Sequence, residues 1–238
     1  MILIQKTPQK VNQNFINILK DIFVPPICAV CGKVGSELVC RQCISKIKEI
    51  GNKVCDYCGR PLSRIGSGNK MCSFCKNEDF NFFRHRSFTV YEGEIKKIIR
   101  KYKYNKIYEL KEIIAGFLER TYFINYKHEE IDYMDTVPGE HMEILCRSLS
   151  GLIKIPFAGN ILSIKKIIKQ QGLDYIQRKN NIKEAFKVKN CMLNHGKNIL
   201  VVDDVWTTGS TLTEISGILK RAGADKIYLL TIARGKDS

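Results

Sequence analysis

The chain has 238 residues, of which 44% are hydrophobic and 26% charged, a composition that excludes a disordered chain and allows a sizeable core. The formal net charge is +15 when every cysteine counts as neutral. It falls to about +11 if eight cysteines bind two zinc ions as thiolates. This excess favours polyanionic partners, although a solvated basic surface would give the same count. The sequence shows no signal-peptide pattern and no apolar run of the roughly 18 residues that a membrane span needs, so we expect a cytoplasmic protein with reduced thiols.

The N-terminal segment, residues 1–26, is predicted to carry an amphipathic helix. Apolar residues recur at positions 15, 18, 19, 22 and 23, which is the spacing of one helical face. Pro25 and Pro26 end this pattern. Residues 27–80 then contain eight of the ten cysteines and few large aliphatic residues, so this segment needs a stabiliser other than a hydrophobic core.

Four C-x-x-C pairs dominate the segment 27–80. They are Cys28/Cys31, Cys40/Cys43, Cys55/Cys58 and Cys72/Cys75. The two-residue gap lets both sulfur atoms of a pair reach one ion, and two pairs complete a tetrahedron. Disulfides or redox pairs are the alternative, but a reducing compartment favours zinc. Sharing by neighbouring pairs would give two consecutive zinc ribbons, with a crossed arrangement as the alternative, and either way we expect two structural zinc ions.

From residue 84 to 238, strand-like and helical patterns alternate, which predicts an α/β domain with a mostly parallel sheet. Strands are predicted at 86–91, 134–137, 198–202 and 226–233. Helical spacing is found over 95–99, 110–117, 144–152 and 210–222. The polar, basic stretch 165–185 is a candidate lid.

The segment that begins at residue 198 carries the clearest chemical signal. A buried strand ends in Asp203 and Asp204, which are expected to face solvent, and a helix follows. The loop between them consists of Thr207, Thr208, Gly209, Ser210 and Thr211. Successive N–H groups, hydroxyls and the positive end of a helix form a cradle for a monophosphate. The two carboxylates would face ribose hydroxyls or a magnesium ion at the carboxyl edge of the sheet, although strand-end or helix-cap roles are the alternative.

The segment VVDDVWTTGST resembles the motif of type I phosphoribosyltransferases that binds 5-phosphoribosyl 1-pyrophosphate (PRPP), and nearly the whole chain resembles the ComF family of competence proteins. The other matching residues are Pro25–Gly32, Cys55–Leu62, Tyr91–Gly93, Lys103, Tyr104, Gln170, Leu173, Arg178, Asn181, Ala185 and Phe186. The resemblance implies a phosphoribosyltransferase-type domain preceded by a small double zinc-ribbon module. It also implies that Asp203 and Asp204 hold the ribose hydroxyls and stabilise the reacting sugar, with magnesium, and that residues 207–211 bind the 5-phosphate.

The resemblance assigns the pyrophosphate loop to Val137, Pro138 and Gly139, and there the chain departs from the family. Family members carry a long basic stretch after the Val-Pro pair, whereas here GEHMEILCRSLS follows, with His141 as a candidate for the family histidine. The absent arginines would have neutralised pyrophosphate. Two interpretations therefore stay open: a binding protein without turnover, or an active enzyme of pentosyl transfer to an unidentified nitrogenous acceptor.

The resemblance further implies a role in natural transformation, in which DNA enters the cytoplasm as a single strand, and docking on the DNA-uptake machinery is a possible partner role. Basic and aromatic residues alternate along one predicted helix: Lys96, Lys97, Arg100, Lys101, Lys103 and Lys106 with Tyr102, Tyr104 and Tyr108. Basic groups follow phosphates and aromatic rings stack on bases, so this helix is a candidate surface for single-stranded DNA. A solvated helix face is the alternative.

Overall fold

The structure is a computed structural model that describes residues 27–62, 70–76, 80–164 and 185–236. The predicted helix of the segment 1–26 lies outside the described residues, and so do Gln170, Leu173, Arg178 and Asn181. Of the candidate lid, only Ala185 is described. The chain divides into two compact units between Lys46 and Ile47. Among the described residues, none of the helices has the length and apolar character needed to span a membrane.

The first unit, described from Ile27 onward, is built around the first four cysteines. Ile27 and Val34 form an antiparallel bridge on either side of the first C-x-x-C turn. The second pair leads into the short helical turn α1 (Arg41–Ile44), on which Cys43 is buried. A segment this short and this poor in aliphatic residues depends on its cysteines for stability.

The second unit contains the second ribbon and the sheet. Its described α-helices and strands, in chain order, are α2 (Ser73–Lys76), β1 (Arg84–Val90), α3 (Gly93–Tyr104), α4 (Lys111–Asn125), β2 (Tyr133–Thr136), α5 (Glu140–Ile153), β3 (Ile161–Ser163), β4 (Phe186–Val188), β5 (Ile199–Trp206), α6 (Ser210–Arg221) and β6 (Ile227–Arg234). The main sheet has the order β1-β6-β5-β2 and all its pairs are parallel. The strands β3 and β4 form a separate antiparallel pair. The α/β class with a parallel sheet is therefore confirmed.

The central strands are covered on both faces of the sheet. Every residue of β6 is buried, which requires packing on both sides because side chains alternate between the faces of a strand. On one face, Ile199, Val201, Ile227 and Leu229 pack with the apolar side of α6. The strand predicted at 198–202 extends further in the structure, because β5 continues through both aspartates to Trp206.

The second group of cysteines is part of this core. Cys55, Cys58, Cys72 and Cys75 are all buried and pack in one cluster with residues of β5, β6 and α6. The sequence predicts that the segment 27–80 is stabilised by something other than a hydrophobic core. The structure differs for the second ribbon, because its cysteines share their burial with the sheet.

Candidate functional site

The predicted metal ligands converge in two places. In each group, the four Sγ atoms lie within 4.8 Å of one another: Cys28, Cys31, Cys40 and Cys43 in the first, Cys55, Cys58, Cys72 and Cys75 in the second. The Sγ–Sγ distances are 3.9 Å for Cys28 and Cys43 and 3.7 Å for Cys58 and Cys72. Thiolates placed tetrahedrally at about 2.3 Å from a zinc ion are about 3.8 Å apart. Neighbouring pairs thus share a site, as predicted, and both sets fit structural zinc.

The same turn follows the first cysteine of each site. The N–H of Gly32 donates to the carbonyl of Cys28 at 2.9 Å, and the N–H of Gly59 donates to that of Cys55 at 3.0 Å. Both glycines have positive φ angles, +74° and +67°, in the region that favours glycine. The N–H of Cys40 lies 3.4 Å from the Sγ of Cys28, and such contacts orient a thiolate ligand.

The two aspartates lie near the carboxyl end of β5 in different environments. Asp204 is buried, with 7% of its surface exposed, whereas Asp203 is half-buried. The expectation that both face solvent is therefore wrong for Asp204. The N–H of Asp204 donates to Oδ1 of Asp203 at 2.8 Å. Burial raises the pKa of Asp203 to about 8, and the neighbouring Asp204 carboxylate adds to the rise.

Two helices bring basic side chains to Asp204. The ammonium of Lys103, from α3, donates to Oδ2 of Asp204, and Nε2 of His141, from α5, lies 3.7 Å from the same oxygen. Burial alone would raise the pKa of Asp204, but His141 and Lys103 outweigh it and hold that pKa at about 2. The hydroxyl of Tyr102 donates to the carbonyl of His141 at 2.5 Å and so joins the two helices.

The loop Thr207–Gly209 connects β5 with the first residue of α6, Ser210. The hydroxyl groups of Thr208 and Ser210 are 2.9 Å apart, so both lie on the same side of the loop. Gly209 has a φ angle of +76°, and a Cβ atom there would lie 2.3 Å from the ring of Trp206. Only glycine fits this turn, because the backbone at this position lies directly against the indole ring of Trp206. The first N–H groups of a helix lack partners within the helix, which suits them to an anion.

The predicted pyrophosphate loop lies at the same edge of the sheet. β2 is the neighbour of β5, and the N–H of Val137 donates to the carbonyl of Val202 at 3.3 Å. Pro138 and Gly139 follow directly and lead into α5. The structure thus brings the segments 137–139, 203–204 and 207–211 to one edge, together with Lys103 and His141.

Only some of the basic and aromatic residues predicted to contact DNA are exposed to solvent. Lys96, Lys97 and Arg100 are exposed on α3, but Tyr102 is buried with 1% exposed. The hydroxyl of Tyr108 donates to Glu140 at 2.8 Å, and Lys106 pairs with the same carboxylate. Tyr104 is 62% exposed and remains a candidate stacking surface. Sequence reasoning assigned Lys103 to this face and missed its contact with Asp204.

Comparison with known proteins gives a consistent result. Residues 19–76 match the family model described as a double zinc ribbon domain. Competence protein F of Haemophilus influenzae is 26% identical over 82% of this chain and 90% of its own length. DNA utilization protein YhgH of Escherichia coli is 24% identical over 89% of this chain and 98% of its own length. The chain therefore resembles competence and DNA utilization proteins along most of its length, as the sequence motifs predicted.

The solved structures similar to this chain include phosphoribosyltransferase folds. A glutamine PRPP amidotransferase from B. subtilis is 16% identical and has a TM-score of 0.38 over 51% of this chain. The chain spans about a quarter of that protein's length, 25%.

Proposed function

We propose that this relative of the competence proteins binds the ribose 5-phosphate group of PRPP, with magnesium, and acts in the handling of incoming single-stranded DNA during natural transformation. One observation carries the proposal. The acidic pair Asp203–Asp204 and the loop 207–211 meet at the carboxyl edge of a parallel sheet, where such folds bind phosphorylated ligands.

The chemistry of the edge supports a magnesium–sugar phosphate ligand. Carboxylate oxygens are ligands that magnesium prefers, and they also accept hydrogen bonds from ribose hydroxyls. The hydroxyls of Thr208 and Ser210 can donate to a 5-phosphate held by the first turn of α6. Lys103 already neutralises Asp204, which leaves the less buried Asp203 to meet the ion, and magnesium binding would displace the proton that the raised pKa of Asp203 retains.

The test is a calorimetric titration with magnesium and PRPP. The double variant Asp203→Asn with Asp204→Asn is expected to lose binding while circular dichroism shows a folded chain. Asp225→Asn is the matched control, because this exposed residue lies two positions before β6, at the opposite edge of the sheet. Unchanged affinity in the double variant would refute the assignment.

The DNA role is supported by the charge of the chain and by the exposed basic residues of α3. Each lysine that neutralises a phosphate of a single strand contributes about 0.7 to the salt dependence of binding. Lys97→Glu with Lys101→Glu should weaken binding to mixed-sequence single strands and reduce this slope. The control Lys220→Glu with Lys226→Glu makes the same charge change where α6 ends and β6 begins. Equal losses in both variants would mean that α3 has no special part in DNA binding.

A second function, transfer of the 5-phosphoribosyl group to a nitrogenous acceptor, is supported by a different observation. The family's basic stretch after Pro138 is absent, but Lys103 and His141 bring basic groups to the same edge. In that reaction the bond between C1 and pyrophosphate breaks as the acceptor nitrogen attacks C1, and nearby cations stabilise the leaving group. Release of pyrophosphate in the presence of a panel of bases distinguishes this function from binding alone.

A further inference from the structure

Two sets of contacts connect the second cysteine site with the loop 207–211 through Trp206. We propose that His85 and Trp206 are positioning residues through which the second cysteine site sets the geometry of this phosphate-binding loop. The inference rests on the proposed function, because it concerns the loop assigned to the 5-phosphate.

The first connection runs through the carbonyl of Cys58, one of the four ligands. It accepts hydrogen bonds from Nδ1 of His85 at 2.9 Å and from the guanidinium of Arg234 at 2.6 Å. The hydroxyl of Thr231 lies 3.0 Å from the other ring nitrogen of His85. Held on both sides and fully buried, the imidazole stacks on Trp206, with the ring centroids 4.2 Å apart and the planes 20° from parallel.

The second connection is a row of aromatic rings. Phe74 lies between the last two cysteine ligands in the sequence, and its ring centroid is 5.8 Å from that of Phe80. Phe80 is 4.8 Å from Phe82, and Phe82 meets Trp206 edge-to-face at 5.8 Å. Both connections therefore end on the indole of Trp206.

Trp206 in turn fixes the loop. Its ring lies where a Cβ atom of Gly209 would stand, so the indole cannot shift towards the loop without moving Gly209. The carbonyl of Trp206 accepts a hydrogen bond from the N–H of Gly235 at 2.7 Å, which holds the backbone below the ring. Close-packed interiors transmit a displacement from one contact to the next, so a change at Cys58 reaches the loop.

The inference predicts that ligand and metal support each other. If the second cysteine site favours the binding geometry of the loop, a bound ligand must favour the intact site by the same factor, because coupling between two sites is reciprocal. The first cysteine site belongs to the other compact unit, so it serves as an internal reference within the same molecule.

The experiment measures zinc retention in the wild-type protein. A zinc-selective chelator is titrated with and without saturating magnesium–PRPP, and the two ions are counted separately. One ion is expected to need on the order of 10-fold more chelator when PRPP is bound, while the other is unaffected. If the protein binds PRPP but PRPP changes the retention of neither ion, or of both ions equally, the inference is overturned.

The variant Trp206→Phe tests the connection itself. It keeps an aromatic side chain but is too small to place the benzene ring of the indole against Gly209. It should retain two zinc ions, bind PRPP on the order of 10-fold more weakly, and show no protection of zinc by PRPP. A variant that keeps wild-type affinity and protection would contradict the role of Trp206.

Trp206 is the chain's one tryptophan, so its fluorescence reports on this connection without a ligand. Its emission should shift when the second zinc ion is removed, and unchanged emission would overturn the inference. Failure of the wild-type protein to bind PRPP would instead contradict the proposed function, and the emission measurement would then decide the positioning claim alone.

Discussion

Replacement of Lys103 by methionine tests the electrostatics of the acidic pair. The ammonium of Lys103 pairs with Asp204, whose side chain is 10% exposed, whereas the side chain of Lys103 is 33% exposed. The two partners therefore respond differently to loss of the other. In Lys103→Met the buried carboxylate keeps His141, at 3.7 Å, as its basic neighbour among the described residues, while in Asp204→Asn the flexible lysine can turn towards water.

These exposures set the expected magnitudes. Removing one partner of a buried ion pair costs about 3–5 kcal/mol when the remaining charge stays buried. We expect the lower end, about 3 kcal/mol, for Lys103→Met at pH 7. For Asp204→Asn we expect about 1 kcal/mol, because water solvates the remaining ammonium. The double variant leaves no unpaired charge and should lie close to the wild-type stability.

The assay is urea unfolding followed by circular dichroism at pH 7 and pH 5, arranged as a double-mutant cycle. The deficit of Lys103→Met should shrink at pH 5, because its buried Asp204 takes up a proton there. In the wild type the pKa of Asp204 is held at about 2, so the carboxylate stabilises the fold above its unfolded pKa and that stabilisation is lost as the pH falls towards 2. A coupling energy below about 0.5 kcal/mol would refute the reasoning.

Three further predictions concern the aspartates, the metal and the reaction. Because the folded protein raises the pKa of Asp203 to about 8, this residue lowers stability as the pH rises from its unfolded pKa to about 8. Asp203→Asn should therefore be more stable than wild type at pH 8, by about 1 kcal/mol after allowance for its partial exposure, and identical pH profiles of thermal unfolding would contradict this. Metal analysis should find two zinc ions per chain, and Cys58→Ser should lower the melting temperature of the sheet-containing unit more than Cys40→Ser does; equal effects would argue against a shared core. With common purines and pyrimidines we expect little or no release of pyrophosphate, and steady release with any one base would favour the transferase.

Local patterns in the sequence were sufficient to predict the two cysteine clusters and the strand–loop–helix geometry around residues 207–211. In a C-x-x-C-G turn and in a strand–Asp-Asp–loop–helix segment, the functional groups lie within a few residues of one another. The spacing alone therefore determines which side chains lie close together. The parallel sheet followed from the alternation of strand and helix patterns. The short β3–β4 pair was not predicted, because its strands have three residues each and show no distinct periodicity.

Contacts between distant parts of the chain could not be predicted in this way. Lys103 and Asp204 are 101 positions apart, and the basic pattern around Lys103 favoured an exposed face. Tyr102 was counted with the stacking residues although the apolar period of α3 places it with Ile95, Ile98 and Ile99 on the buried side. That period was visible in the sequence and could have corrected the assignment. The burial of the second ribbon against the sheet depends on tertiary packing, for which a single sequence carries no local signal.

The division of the chain between Lys46 and Ile47 has a consequence for how this architecture can vary over evolutionary time. The first ribbon forms a compact unit of its own, so we expect its sequence to vary around its own four cysteines. The second ribbon is constrained differently, since its cysteines share one core with Phe82 and Trp206. We expect substitutions around it to occur as correlated pairs across that core, so that lineages keep or lose the second ribbon and the loop 207–211 together.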